Sequence, residues 1–225
     1  LTVAAALLSV AAESPHDVVT VLPAKCHVTH EDVLFSALQS AYMNLPQTPE
    51  GVLTLGMVDI SEGIDEDYLV PGRAKGGTHW VVQAMARRPV RWVARHLREH
   101  GAMTSSGILI GYAGVFAAHL AKQWPDLTVK LIGALSGAVA SGTECRIPTA
   151  LRSGVPSAVL RSLSWCAPAF PQRVLPVQHA GWSGLRSPRA VACISAIAHR
   201  YREAPVRSSD WGLHSRDPIM WAHRP

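Results

Sequence analysis

The sequence predicts an α/β fold, with a mostly parallel sheet flanked by helices. Two observations predict it. Helical and strand patterns alternate along the chain as far as Val177. The strand patterns, such as Val18–Leu22 and Val52–Val58, are short apolar runs rich in β-branched residues and lack polar alternation, which marks strands covered on both faces.

The elements follow in order. Thr2–Ala12 is rich in Ala and Leu and is followed by Glu13-Ser14-Pro15, so it reads as a buried helix rather than a signal peptide. Val18–Leu22 is a strand ended by Pro23. His30–Met43 has apolar residues at Val33, Leu34, Ala37, Leu38 and Ala41, the spacing of one helix face, with Thr29 as its expected N-cap. Val52–Val58 is a second strand, Ser61–Gly77 a polar loop, and His79–Ala86 a further strand.

Val90–His100 is an amphipathic helix with Val90, Val93, Ala94 and Leu97 inward, closed by Gly101. Thr104–Ile110 reads as a strand and Val115–Trp124 as a helix stopped by Pro125. Leu131–Ala140 and Val155–Leu163 are expected helices, Arg173–Val177 a strand. Pro188–Tyr201 is a helix with proline in its first turn. One domain over residues 1–201 and an irregular tail over 202–225 are expected.

Composition narrows the function classes. Hydrophobic residues make up 48% of the 225 and charged residues 16%, enough for a core and against disorder. The longest weakly charged run, Val129–Ala140, is too short to cross a bilayer, so no membrane partner is expected. The four cysteines lack Cys-x-x-Cys spacing, which argues against a zinc site and fits a reducing cytoplasm. Net charge is +5. Its densest cluster, Arg87, Arg88, Arg91, Arg95 and Arg98, matches no nucleic-acid-binding motif and reads as a solvated helix face. His16, Cys26, His27 and His30 are close in sequence but lack an obvious fourth ligand, so they read as ordinary loop residues.

Several local patterns carry a family resemblance. Val21-Leu22-Pro23-Ala24-Lys25-Cys26-His27-Val28 resembles a Val-Leu-Pro-Ala-Asp-His stretch. Tyr68-Leu69-Val70-Pro71-Gly72 sits where an aromatic-glycine motif is expected, and Val82–Pro89 where a strand ends Phe-Val-Glu-Lys-Pro. His96–Gly107 is similar to Leu-Leu-x-x-Gly-Ala-x-Trp-Asn-Ser-Gly. Val174–Val191, with Ala-Gly-Trp-Ser, resembles a segment reading Gly-Trp-Ser-Asp-x-Gly-Thr-Pro. Their order across residues 1–191 resembles the mannose-1-phosphate guanylyltransferases, within the sugar-phosphate nucleotidylyltransferases.

That resemblance implies a Rossmann-like nucleotide-diphospho-sugar transferase fold and the formation of a GDP-mannose-type nucleotide sugar from a sugar 1-phosphate and a nucleoside triphosphate. It implies Mg²⁺ as cofactor if the protein is active, because hard divalent cations take oxygen ligands. It places the family's opening strand and Gly-Gly-x-Gly-x-Arg loop ahead of Leu1, and no such motif occurs within the chain. The two metal-binding Asp positions fall on Lys25 and Gly184, which implies that no catalytic set is intact and no metal is held. The sugar-binding Glu falls on Arg87, the phosphate-binding Lys on Arg88 and the Asn of the serine-glycine motif on Ser105. Ser106 and Gly107 are retained.

Arg87, Arg88, Tyr68, Ser105, Ser106 and Gly107 are therefore the candidate contacts for a nucleotide or sugar phosphate. The acidic residues of the 59–67 loop read as solvated. The implied alternatives are a non-catalytic binding or structural subunit of the same fold, an active enzyme whose opening segment lies upstream, and, after these, a basic nucleic-acid-binding module. A sheet without its opening strand has a bare edge, which a second copy or a partner is expected to cover.

Overall fold

A computed structural model describes residues 2–45, 51–58, 66–72, 79–141, 144–146, 172–185, 191–192 and 194–195. Helix α1 (Thr2–Glu13) buries Ala4, Ala5, Leu7 and Leu8. They meet Phe116 and Leu120 of α4 (Ala113–Gln123) and Leu127 and Leu131 of α5 (Pro125–Ser136). Pro125 starts α5 at a position where its missing N–H costs nothing. These helices form one layer. The opposite layer is α2 (Glu31–Asn44), whose Ala41 is fully buried and whose Val33, Leu34, Ala37 and Leu38 pack on the same core.

The sheet lies between. Its six strands are β1 (Val18–Val21), β3 (Val52–Met57), β4 (Tyr68–Pro71), β5 (Trp80–Ala86), β6 (Met103–Tyr112) and β9 (Gln172–Val177), in the order β1-β6-β3-β9-β5-β4. Every residue of β3 is buried, with Val52 on the α1–α4–α5 side and Leu53, Leu55 and Met57 on the α2 side. β6 also pairs with β4, so the circuit β6-β3-β9-β5-β4 returns to β6. Two-stranded pairs join β2 (Cys26–Val28) to β10 (Trp182–Gly184) and β7 (Val139–Ser141) to β8 (Glu144–Arg146). α3 (Arg91–Glu99) packs Ala94 and Leu97 against Tyr68 and Ala102, and Gly101, at φ 83°, turns the chain into β6.

The expected mostly parallel sheet is corrected by this topology. Only β3 and β9 run parallel among the described pairings, and β1–β6, β3–β6, β4–β5, β4–β6 and β5–β9 are antiparallel. An apolar run reports that both faces are covered, not which way its neighbours run. Smaller corrections have local causes. Residues 68–71 of the expected loop form β4. The expected helix at Leu131–Ala140 ends at Ser136 and passes into β7. Val90 is exposed, not inward. The N-cap of α2 is His30, with no side-chain cap, because the Thr29 hydroxyl donates to Gly181 O at 3.3 Å. The expected helix at 155–163, most of that at 188–201 and the tail at 202–225 lie outside the described residues.

Gly56 marks a point of close packing in the core. A Cβ there would lie 2.6 Å from Val174 Cγ2 and 2.8 Å from Met103 Sδ. Gly56→Ala is therefore expected to destabilise the fold by about 1–3 kcal/mol, as overpacking does. A urea midpoint equal to that of the unsubstituted protein would contradict this.

A second strain point is polar. His79 is 3% exposed, and Arg173 Nη1 lies 2.6 Å from its Nε2. An arginine only donates, so Nε2 accepts and the proton sits on Nδ1, which is buried with no hydrogen-bond partner among the described residues. Burial lowers the His79 pKa from its usual 6.5, and the Arg173 charge lowers it further. The unfolded chain thus binds this proton more readily than the fold does, so stability is full above about pH 6.5 and is lost as pH falls below it. His79→Gln is expected to flatten that pH dependence in urea titrations, whereas an unchanged slope would remove His79 as its source.

Candidate functional site

The mouth of the site is built by the turn after β9. His179 and Gly181 adopt positive φ angles of 61° and 60° there, and a Cβ at Gly181 would lie 2.6 Å from Thr29 Cβ. The turn docks on the start of α2 through His30 N–H to Ala180 O, 3.1 Å, and Thr29 N–H to Gly181 O, 3.3 Å. That contact lays β10 along β2, pairing Gly184 with Cys26 and Ser183 with His27. The Leu185 N–H then donates to Lys25 O at 3.0 Å. Lys25 and Gly184, separated by most of the chain, are thereby neighbours, with the Lys25 side chain exposed.

Glu66 closes the other side. A Cβ at Gly184 would stand 2.5 Å from Glu66 Oε1, so the glycine leaves space that this carboxylate uses. Glu66 and Asp67 are 7% and 6% exposed, which corrects the reading of the 59–67 loop as wholly solvated. They stand directly before β4, and that strand carries them between β5 and β6. Residues 59–65 lie outside the described residues.

Asp67 braces two segments. Its Oδ1 accepts the Arg88 N–H at 3.2 Å, and its carbonyl accepts the Ser105 N–H at 2.8 Å. Arg88 has φ 39°, a left-handed conformation that costs a non-glycine residue about 1–2 kcal/mol. Strain of this kind gathers at functional sites. The side chains of Arg87 and Arg88 are exposed beside this brace.

The serine-glycine motif is a bulge. Thr54 pairs with Leu109 and Gly56 with Ser105, so Ser106, Gly107 and Ile108 oppose Leu55 alone. Ser106 Oγ donates to Leu55 O at 2.7 Å and accepts from Ile108 N–H at 3.0 Å, repairing the interrupted ladder from a buried position. Gly107 has φ 75°, and a Cβ there would lie 3.9 Å from the Pro23 ring. Ser105 Oγ accepts from Gly107 N–H at 3.3 Å. Tyr68 is 1% exposed and packs with Ala94 and Ala102. Of the expected contacts, Arg88 and Ser105 are joined through Asp67, Gly107 faces the Pro23 ring and Arg87 is exposed, while the Ser106 hydroxyl and the Tyr68 ring serve the interior. Glu66 and Asp67 were read as solvated because they sit in a polar run; the apolar residues at once after them, Tyr68-Leu69-Val70, were the available signal of burial.

These residues do not fit Mg²⁺, which takes carboxylate oxygens and retained waters in octahedral array. The two strands that meet offer an ammonium and a glycine, with Glu66 behind them. Among the described residues no group of three or more His, Cys, Asp or Glu is placed to hold a metal ion. Cys26 is not primed as a soft ligand either: burial raises its thiol pKa, and Sγ donates to Pro23 O at 3.2 Å.

Gly184→Ala is expected to push the end of the flexible Glu66 side chain aside at a cost of about 1 kcal/mol or less. Glu66→Ala should abolish that cost, so a double-mutant cycle in urea should give a measurable coupling energy. Additive effects would separate the two positions.

No protein-family model and no curated protein sequence matches this chain. Solved structures do. Mannose-6-phosphate isomerase from Helicobacter pylori superposes with a TM-score of 0.63 at 16% identity, over 80% of this chain and 68% of that one. Mannose-1-phosphate geranyltransferase from Thermus thermophilus superposes with a TM-score of 0.64 at 20% identity, over 80% of this chain and 51% of that one. The chain thus spans about half the length of the second protein. Among the described residues no helix is long and apolar enough to cross a membrane. At these identities the likeness speaks for architecture, and the chain has the mixed α/β fold shared by these two structures, both named for a mannose phosphate.

Proposed function

We propose that this chain binds a sugar phosphate or nucleotide at the mouth formed by Lys25, Gly184, Glu66, Arg88 and Ser105, and that it is a nucleotidyltransferase-type protein impaired in catalysis. The observation that supports this reading is the β2–β10 pairing, which brings exposed Lys25 to the strand that carries Gly184. Exposed cations on a fixed backbone suit phosphate. The reaction of such an enzyme joins a sugar 1-phosphate oxygen to the α-phosphorus of a nucleoside triphosphate and expels pyrophosphate. Charge crowds the transferring group, so the rate depends on electrostatic stabilisation and positioning. A lysine and a glycine at the two positions where the resemblance expects metal-holding carboxylates would supply binding without most of that stabilisation. The GDP-mannose type is the specificity we assign, and a non-catalytic binding subunit is the limiting case of the same reading.

Calorimetry with GTP and with mannose 1-phosphate, followed by a pyrophosphate-release assay with both, tests it. Saturable binding with turnover far below about 1 s⁻¹, the low end of ordinary enzymes, is expected. Turnover within the ordinary enzymatic range would overturn the impairment, and absence of binding to either compound would overturn the assignment.

A further inference from the structure

We propose that His96 and His100 chelate a divalent late transition ion, Cu²⁺ before Zn²⁺ or Ni²⁺, at the C-terminal end of α3. The inference is independent of the anion-binding reading, since neither histidine enters that argument.

Helix spacing brings the pair together. Residues four apart share a helix face, and two histidines so placed can present their imidazoles to one ion. In α3 the two rings are in contact, with centroids 4.1 Å apart and planes tilted by 43°. Both residues are exposed, so an ion and its waters can reach them. His100 is fixed twice. It caps α3, and its N–H donates to His96 O at 3.1 Å and Leu97 O at 3.2 Å. Its ring Nδ1 lies 2.8 Å from the same His96 carbonyl. A carbonyl oxygen only accepts, so Nδ1 carries the proton and, in the neutral ring, Nε2 carries the lone pair. Metal-ligating histidines are oriented in this way, by an acceptor that takes the other ring proton. One ligand is thus set in its tautomer, and the second stands against it.

The surroundings select the ion. Imidazole nitrogen suits Cu²⁺, Ni²⁺ and Zn²⁺, whereas Mg²⁺ and Ca²⁺ take oxygen. The last carbonyls of α3 carry partial negative charge, which favours a cation at this end. Arg91, Arg95 and Arg98 of the same helix oppose one, and the Glu99 carboxylate between the two histidines is held by Arg95 at 3.0 Å. The protein therefore contributes two nitrogens, and water fills the remaining positions. A two-ligand site among like charges calls for the tightest-binding ion of the series, which is Cu²⁺. Binding would tie His96 to the cap, and so hold the last turn of α3 and the turn at Gly101 into β6.

The test is diethylpyrocarbonate labelling of the full chain, read at each histidine by mass spectrometry, with urea unfolding beside it, in CuCl₂, ZnCl₂, MgCl₂ and EDTA. Free Cu²⁺ at about ten times its dissociation constant should slow labelling of His96 and His100 together about tenfold. Exposed His30 is the surface control. His96→Asn should abolish protection of His100, and His100→Asn that of His96. Asn is tolerated at helix C-termini, and both positions are exposed, so the core stays intact. Circular dichroism confirms folding. The urea midpoint should rise in Cu²⁺, and rise less in either variant. Protection of one ring that survives loss of the other overturns the chelate, as does protection no greater than at His30. An equal midpoint rise in His96→Asn also overturns it. Stronger protection by Zn²⁺ or Mg²⁺ than by Cu²⁺ overturns the assigned ion.

Discussion

Strand β6 is the constraint on which the rest of the structure depends. It touches β1, β3 and β4, and its two ends serve different neighbours along one edge. A straight strand cannot follow β3 through this arrangement, and three residues of β6 are accommodated opposite one of β3. The bulge leaves ladder groups without partners, and a buried unpaired peptide group costs roughly as much as a lost hydrogen bond. Ser106 supplies the missing acceptor and donor in one hydroxyl. Gly107 supplies the positive φ. The motif that invites a catalytic reading in the sequence is first a repair to the sheet, and the site is assembled around the distortion it stabilises.

Much of the architecture was legible because it is periodic. The helices over residues 2–13, 31–44, 91–99 and 113–123 and the strands at 52–57, 80–86 and 172–177 stand close to where the apolar spacing puts them. Strand direction was not legible. Val18–Val21 has the same apolar character whether its neighbour runs with it or against it, and the antiparallel β6 arrives only through the turn at Gly101. Three-residue strands carry no period at all, so the β2–β10 pairing that brings Lys25 to Gly184 had no local signature.

The site was legible in part for a similar reason. Lys25 and Gly184 were found by their place within longer matching segments, and the topology brings them together. Glu66 and Asp67 sit in an acidic run whose composition argues for solvent. Burial of a carboxylate depends on partners contributed by distant segments, here the Arg88 amide for Asp67. No window of sequence contains that information.

Asp67 has one further consequence. Its side chain grips the amide of Arg88 and its main chain grips the amide of Ser105, so a single residue clamps the end of β5's connection to the start of the β6 distortion. Both links run through short, stiff atoms rather than long rotatable stems. The turn after β5 and the start of the β6 distortion thus share one anchor point in the chain, and losing that residue would release both at once.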